Sequence, residues 1–315
     1  MRLKNIDFGK VTGASGVQNF FGEGYWFHRY LKPFGLDFSG ATFVAKTTTL
    51  HPRIGNMPLN DDYAPKERVP PCVFVRPWKG IALNSVGLSG PGAQALFETN
   101  RWQERRNPFF ISFMSVAETP HERTEELRDF VDLFFRYLPE FHAPVGLQIN
   151  YSCPNVGLHT EMLVNEVSEG LTIASALGIP LMPKFNVVLP VRVALKVSRH
   201  EACDAICVSN TIPWGQLPDR IDWKGLFGSL TSPLAHLGGG GLSGKPLLPL
   251  LLEWLEDARV AGIKKPINAG GGILSFQDAR AVFHYGASSI FLGSIAFLRP
   301  WRVNGIIRNI NGGDI

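Results

Sequence analysis

The chain has 315 residues, of which 45 % are hydrophobic, 18 % are charged and 33 are glycines; this composition excludes general disorder, collagen, a coiled coil and a disulfide scaffold. A net charge of +4 is too small for a nucleic-acid-binding surface, and no apolar run reaches the 18 or so residues of a membrane span. The chain opens without an apolar signal core, and its four cysteines suit a reducing compartment. We therefore expect one cytoplasmic domain over residues 1–315.

Short apolar runs alternate with amphipathic stretches along the chain. The runs predict strands at Val11–Ala14, Ala41–Lys46, Phe109–Ser115, Val145–Asn150, Ile179–Lys184, Ala205–Asn210, Pro266–Ala269 and Ser289–Leu292. The stretches between them predict helices at Glu122–Tyr137, Val164–Leu177, Leu189–Arg199, Leu247–Val260 and Ser275–Tyr285. Nearly continuous apolar strands are typical of a parallel sheet covered on both faces. Eight strand–helix units favour a closed α/β fold, the (β/α)8 TIM barrel, over an open doubly wound sheet.

One segment interrupts this alternation. Cys72–Asn84 is rich in β-forming residues and has turn residues at Pro77–Gly80, which predicts a small inserted β-hairpin near the barrel mouth. The hairpin ends in the polar and glycine-containing junction Asn84–Leu88.

Polar residues recur where predicted strands end, which is where barrel enzymes place their active sites. Lys46 and Lys184 offer cationic donors, and Asn150 and Asn210 offer donor and acceptor pairs. A single asparagine at a strand end usually caps the following helix, but two lysines and two asparagines together indicate a planar, polar and partly anionic ligand.

Glycine is concentrated in the last third of the chain, at Gly238–Gly241, Gly270–Gly272 and Gly293. Such clusters can simply mark turns. At the ends of the last two barrel strands, however, backbone N–H groups freed of side chains can surround a phosphate. The spacing matches neither a Rossmann fingerprint nor a P-loop.

Cys153 differs from the other three cysteines because it lies in a polar loop, Asn150–Asn155, directly after a predicted strand. A thiol there can act as a general base or acid, whereas Cys72, Cys203 and Cys207 lie in apolar runs and are interpreted as buried small side chains. The histidines show no repeated ligand spacing, so no metal site is predicted.

Taken together, these segments resemble the dihydroorotate dehydrogenases over nearly the whole chain. The resemblance is carried by Gly13–Gly16 (GASG), Lys46–Thr49 (KTTT) with Arg53–Pro58, Asn84–Leu88 (N-x-x-G-L), Asn150–Asn155 (N-x-S-C-P-N), Lys184, Asn210–Thr211, Gly240–Gly244, Gly271–Ile273 and Gly293–Ser294, in that order. N-x-S-C-P-N is the most specific of these motifs, since the glycine motifs are shared with other FMN barrels.

The resemblance implies an FMN-dependent oxidation of dihydroorotate to orotate in de novo pyrimidine synthesis. Cys153 would remove the C5 proton while hydride passes from C6 to flavin N5. The implied substrate-binding residues are Lys46, Asn84, Val86, Gly87, Leu88, Asn150, Asn155, Asn210 and Thr211. The implied cofactor-binding residues are Ala14, Ser15, Gly16, Lys46, Thr47, Asn150, Lys184, Gly241, Gly271, Gly272, Gly293 and Ser294.

A cysteine base and a short N-terminal segment resemble the soluble class 1 branch, for which a homodimer is expected. The electron acceptor stays open between fumarate and NAD, the latter through an iron–sulfur and FAD partner subunit, and the lid segment Val156–Glu169 matches neither subgroup. Two alternatives remain: a related flavin barrel acting on another dihydropyrimidine, and a flavin-binding protein that has lost catalysis.

Overall fold

The structure is a computed structural model that describes residues 1–151 and 160–313. Its strands are β1 Arg2–Leu3, β2 Ile6–Asp7, β3 Val11–Gly13, β4 Val73–Arg76, β5 Ile81–Asn84, β6 Phe109–Phe113, β7 Val145–Asn150, β8 Leu181–Asn186, β9 Ile206–Asn210, β10 Ile212–Pro213, β11 Gly241–Gly244, β12 Ile267–Ala269 and β13 Ser289–Leu292. Its helices are α1 Trp26–Leu31, α2 Ala93–Glu98, α3 Pro120–Tyr137, α4 Thr160–Ala174, α5 Val191–Ser198, α6 Trp223–Phe227, α7 Leu247–Val260, α8 Phe276–His284, α9 Ile295–Leu298 and α10 Val303–Gly312.

Among the described residues, seven parallel strands form one curled sheet in the order β3, β13, β12, β9, β8, β7, β6. The segment at 41–48 joins the two edges, because Gly13 N donates to Thr42 O at 2.8 Å and Phe110 N donates to Phe43 O at 3.0 Å. The predicted barrel is therefore confirmed. The strand expected at Ala41–Lys46 is replaced by isolated bridges, Thr12 with Thr42 and Val44 with Phe110.

Helices α3, α4, α5, α7 and α8 cover the outside of the barrel and correspond to the five predicted helices. Helix α7 has the predicted bounds, whereas α3 begins two residues earlier than the predicted Glu122. The earlier start follows from a capping box, in which Thr119 Oγ1 accepts from Glu122 N at 3.2 Å and the Glu122 carboxylate accepts from Thr119 N at 3.0 Å. None of the described helices is both long and apolar enough to cross a bilayer.

The inserted hairpin is confirmed as β4 and β5 but belongs to a larger antiparallel sheet in the order β10, β11, β5, β4. The glycines of Gly240–Gly244 lie at and on β11, and a side chain at Gly244 would come within 2.2 Å of Gly80 O. One face of this sheet packs on Trp223 and Phe227. The other face, with Val75, Ala82 and Asn84, lies over the mouth of the barrel.

The opposite end of the barrel is closed by the β1–β2 hairpin and Phe8, which sequence reasoning did not predict. Phe8 is fully buried, and its ring centroid lies 4.2 Å from that of Phe110. The apolar layer around them includes Leu3, Val44 and Met182. The short first strands are therefore held by side-chain packing as well as by backbone pairing.

Gly146→Ala should destabilise the fold, because an added Cβ would lie 2.4 Å from Cε1 of the buried Phe110. Overpacking of this kind costs about 1–3 kcal/mol. The measurement is the urea midpoint of unfolding. Gly305→Ala is the control, since Gly305 lies in α10 with no heavy atom within 4 Å of the added Cβ, and alanine there should stabilise by up to ~1 kcal/mol. Equal midpoints for the two variants would contradict the packing described.

Candidate active site

A cavity of about 1110 Å³ opens at the carboxyl ends of the barrel strands, beneath the antiparallel sheet. Every residue that the sequence singled out for binding lines this cavity, where the structure describes it. These residues are Ala14, Ser15, Gly16, Lys46, Thr47, Asn84, Val86, Gly87, Leu88, Asn150, Lys184, Asn210, Thr211, Gly241, Gly271, Gly272, Gly293 and Ser294.

Two residues of the predicted site, Cys153 and Asn155, lie outside the described residues. The predicted lid Val156–Glu169 lies partly outside them, and its remainder belongs to α4. The strand that leads to this loop, β7, ends with Asn150 in the cavity wall.

Lys46 brings a buried ammonium group to the cavity. The residue is 6 % exposed, its Nζ donates to Ser89 O at 2.8 Å, and Nζ lies 4.6 Å from the ring centroid of Phe20. Burial lowers the pKa of Lys46 to about 8, although Cys72 and Glu23 act in the opposite direction. At neutral pH Lys46 is therefore a cation with donors available to an anionic group.

Lys184 supplies the second cation, from β8 two residues before the end of that strand. It is 6 % exposed, and burial lowers its pKa from the ordinary value. Its Nζ lies 5.4 Å from the centroid of Phe291 and, within the described part of the chain, has neither a hydrogen bond nor an ion pair. An uncompensated buried ammonium group favours a negatively charged ligand.

Amide groups from neighbouring strand ends are connected by hydrogen bonds. Asn210 Nδ2 donates to Asn150 Oδ1 at 3.3 Å, and Asn210 Oδ1 accepts from Thr211 N at 2.8 Å. Asn186 Nδ2 donates to Thr211 O, so Asn186 fixes the Asn210–Thr211 segment. Sequence reasoning missed Asn186, although its position two residues after Lys184 on one strand puts both on the same face.

The glycine clusters after β12 and β13 leave backbone donors free. The N–H groups of Gly271, Gly272, Gly293 and Ser294 donate to no acceptor in the described ranges. Gly272 has φ 77°, and a side chain there would come within 2.7 Å of Leu248 N at the start of α7. Four unpaired donors at two adjacent strand ends form a site suited to a phosphate.

Hydroxyl groups complete the wall around the first strand. Ser15 Oγ lies 2.6 Å from Thr47 Oγ1, and Tyr25, which sequence reasoning also missed, donates its hydroxyl to Gly16 O at 2.7 Å. Across the cavity mouth, Val86 O accepts from Asn56 N at 2.8 Å. The arrangement can therefore hold a planar ligand with amide-like edges and an anionic group, next to a second ligand that carries a phosphate.

Comparisons with known proteins agree with this geometry. The sequence model of the dihydroorotate dehydrogenase family matches residues 3–312. The catalytic subunit of dihydroorotate dehydrogenase B (NAD(+)) of Thermodesulfovibrio yellowstonii is 27 % identical over 98 % of this chain and 91 % of the relative. The corresponding subunit of Geobacillus kaustophilus is 28 % identical over 98 % of this chain and 87 % of the relative.

A solved structure supports the same fold. Ligand-free DHODH of Eimeria tenella has a TM-score of 0.64 and 21 % identity, covering 100 % of this chain and 88 % of its own. The fold therefore matches at low sequence identity, while the family model spans almost every residue. The chain belongs to the dihydroorotate dehydrogenase family.

Proposed function

We propose that the chain oxidises dihydroorotate to orotate with bound FMN, and that Cys153 takes the C5 proton. Enzymes of the dihydroorotate dehydrogenase family are flavin-dependent oxidoreductases that act on CH–CH bonds, and membership of this family carries the proposal. The joint position of Lys46, Lys184, Asn150 and Asn210 in one cavity supports it independently, because orotate combines a carboxylate with amide-like ring edges.

Several described residues support FMN as the bound flavin. The N–H groups of Gly271, Gly272, Gly293 and Ser294, which have no acceptor among the described residues, suit its phosphate. Lys184, which is buried and forms no ion pair with a described residue, suits the negative charge that the flavin ring gains on reduction. Ala14, Ser15, Gly16, Thr47 and Gly241 complete the proposed contacts. When bound, FMN supplies a two-electron hydride acceptor.

The chain's own residues then bind and orient the substrate. Lys46 and the backbone of 86–88 hold the substrate carboxylate, and Asn84, Asn150 and Asn210 hold the ring edges, with Asn155 and Thr211 completing the set. Cys153 removes the proton from C5 as hydride leaves C6. General bases typically contribute about 10²–10⁴ in rate.

We further propose that electrons leave through NAD and a partner subunit rather than through fumarate. The relatives in Thermodesulfovibrio yellowstonii and Geobacillus kaustophilus are named as NAD-dependent catalytic subunits, which supports this choice. The chain has only four cysteines and no C-x-x-C pair, so an iron–sulfur cluster would have to come from the partner. We also propose that two copies of this chain form a homodimer.

Dihydroorotate should bleach the flavin of the purified chain under anaerobic conditions, whereas dihydrouracil should not. The reason is the carboxylate, which only dihydroorotate offers to Lys46. The measurement is the flavin absorbance after each addition. Bleaching by dihydrouracil alone would favour the related dihydropyrimidine enzyme, and a purified chain without flavin would favour a protein that has lost catalysis.

Cys153→Ala should slow flavin reduction by dihydroorotate about 10²- to 10⁴-fold, which corresponds to roughly 3–5 kcal/mol of barrier, with FMN content and orotate binding unchanged. Stopped-flow absorbance measures the rate. Cys203→Ala is the control, because Cys203 is fully buried, contacts Ala205 O and does not line the cavity. A normal rate for Cys153→Ala would remove the thiol from the mechanism.

Orotate affinity should fall as the pH rises through about 8, because the free chain then loses the proton of Lys46, whose pKa burial lowers to about 8. A bound carboxylate favours the charged form, so the loss approaches roughly tenfold per pH unit above that value. The measurement is orotate titration from about pH 6.5 to 9.5, followed by the flavin spectrum. The Lys46→Met variant should bind orotate weakly, and its affinity should not depend on pH in this range. The same pH dependence in this variant as in the wild-type chain would contradict the role of Lys46.

A further inference from the structure

A layer of polar side chains crosses the barrel interior directly beneath the cavity. The middle of a (β/α)8 barrel is usually filled by Val, Ile and Leu. In this chain the corresponding side chains are polar and at most 2 % exposed. We call these residues the polar layer: Ser112, Gln148, Cys207, Asn268 and Ser289.

The hydrogen bonds of the lower half of the polar layer run in one direction. Ser289 Oγ donates to Met1 Sδ at 3.3 Å, and a thioether can only accept. Because the single hydroxyl proton of Ser289 is donated to Met1, Ser289 Oγ accepts from Asn268 Nδ2, at 2.7 Å. The other end of that amide, Asn268 Oδ1, therefore faces Cys207 and accepts from its thiol at 3.5 Å.

The upper half continues in the same direction. Cys207 Sγ accepts from Gln148 Nε2 at 3.5 Å, which leaves Gln148 Oε1 to accept from Ser112 Oγ at 3.3 Å. Thr47 Oγ1 lies 2.9 Å from Ser112 Oγ and has to be the donor of that pair, since a hydroxyl has one proton. By the same reasoning Ser15 donates to Thr47 across 2.6 Å.

Ser15 is the last member of this chain of bonds, and both Ser15 and its partner Thr47 line the cavity. Its proton is committed to Thr47, so its oxygen can offer only lone pairs to a ligand. We propose that the polar layer, acting through Gln148 and Ser112, fixes Ser15 as a hydrogen-bond acceptor for an N–H group of the bound flavin ring. Ser15 would contact the ligand, whereas Gln148 and Ser112 are positioning residues.

This inference rests on the proposed function, because it takes the cavity to bind FMN. It adds a cause for the polarity of the barrel interior: a layer of apolar side chains would leave Ser15 free to turn its proton toward the ligand. A ring N–H would then meet a second donor. The free energy of the contact therefore depends on residues that never touch the ligand.

The test is a double-mutant cycle on FMN affinity, measured by quenching of FMN fluorescence on addition of apoprotein. Ser15→Ala should weaken binding about fivefold, the effect of one neutral hydrogen bond. Gln148→Leu should weaken it by a similar factor in the wild-type chain and have no effect in the Ser15→Ala background. Thr12→Val is the control, because among the described residues Thr12 touches this chain of bonds only from the side, by accepting from Asn268 Nδ2 at 3.5 Å, and FMN affinity should not change.

Additive losses in the double variant would overturn the proposed effect of the polar layer on Ser15, as would unchanged affinity in Ser15→Ala. Should Gln148→Leu fail to fold, Ser112→Ala takes its place, since it removes one oxygen atom and leaves the pair of Gln148 and Cys207 intact. Wild-type apoprotein that does not bind FMN at all would overturn the proposed function and this inference with it. Binding with additive losses would overturn the inference alone.

Discussion

The burial of two ammonium groups inside one barrel is the constraint on which the site depends. Lys46 and Lys184 are each 6 % exposed, and neither forms an ion pair with a described residue. Desolvation lowers both pKa values and makes the ligand-free site electrostatically unfavourable. An anionic substrate and a cofactor that becomes anionic on reduction would each relieve part of that cost.

The fold supplies the positions that this constraint requires. Parallel strands deliver their carboxyl ends to one edge, so Lys184 and Asn150 sit in register on β8 and β7, while the antiparallel sheet covers them from above. Both lysines are thereby shielded from bulk solvent, and electrostatic interactions are stronger there than in water.

Most of the barrel and many of the polar and glycine residues in the cavity wall could be predicted from the sequence, because local patterns encode them. The end of β7 at Asn150 follows from an apolar run that stops at a polar residue, whereas β8 begins and ends two residues later than the predicted Ile179–Lys184. The β1–β2 hairpin could not be predicted, because the role of Leu3 and Phe8 depends on their packing against Phe110 and Met182, which are distant in sequence. Asn186, by contrast, could have been found from its position two residues after Lys184 on the same strand, although its hydrogen bond to Thr211 O is visible only in the structure.

The roles of some glycines could be predicted from the sequence, and the roles of others could not. Gly271 and Gly272 were expected to free backbone donors, and their positive φ angles and unpaired N–H groups fit that role. Gly244 has another function, since it allows β11 to pass within contact of Gly80. A high glycine content therefore indicates that the backbone approaches some other group closely. Only the strand pairing in the structure shows whether that group is a ligand or a neighbouring strand. The polar layer beneath the cavity could not be predicted from the sequence either. Ser112 and Gln148 are ordinary strand residues in the sequence, and only the closed barrel brings Ser112 within hydrogen-bond distance of Gln148 and Thr47.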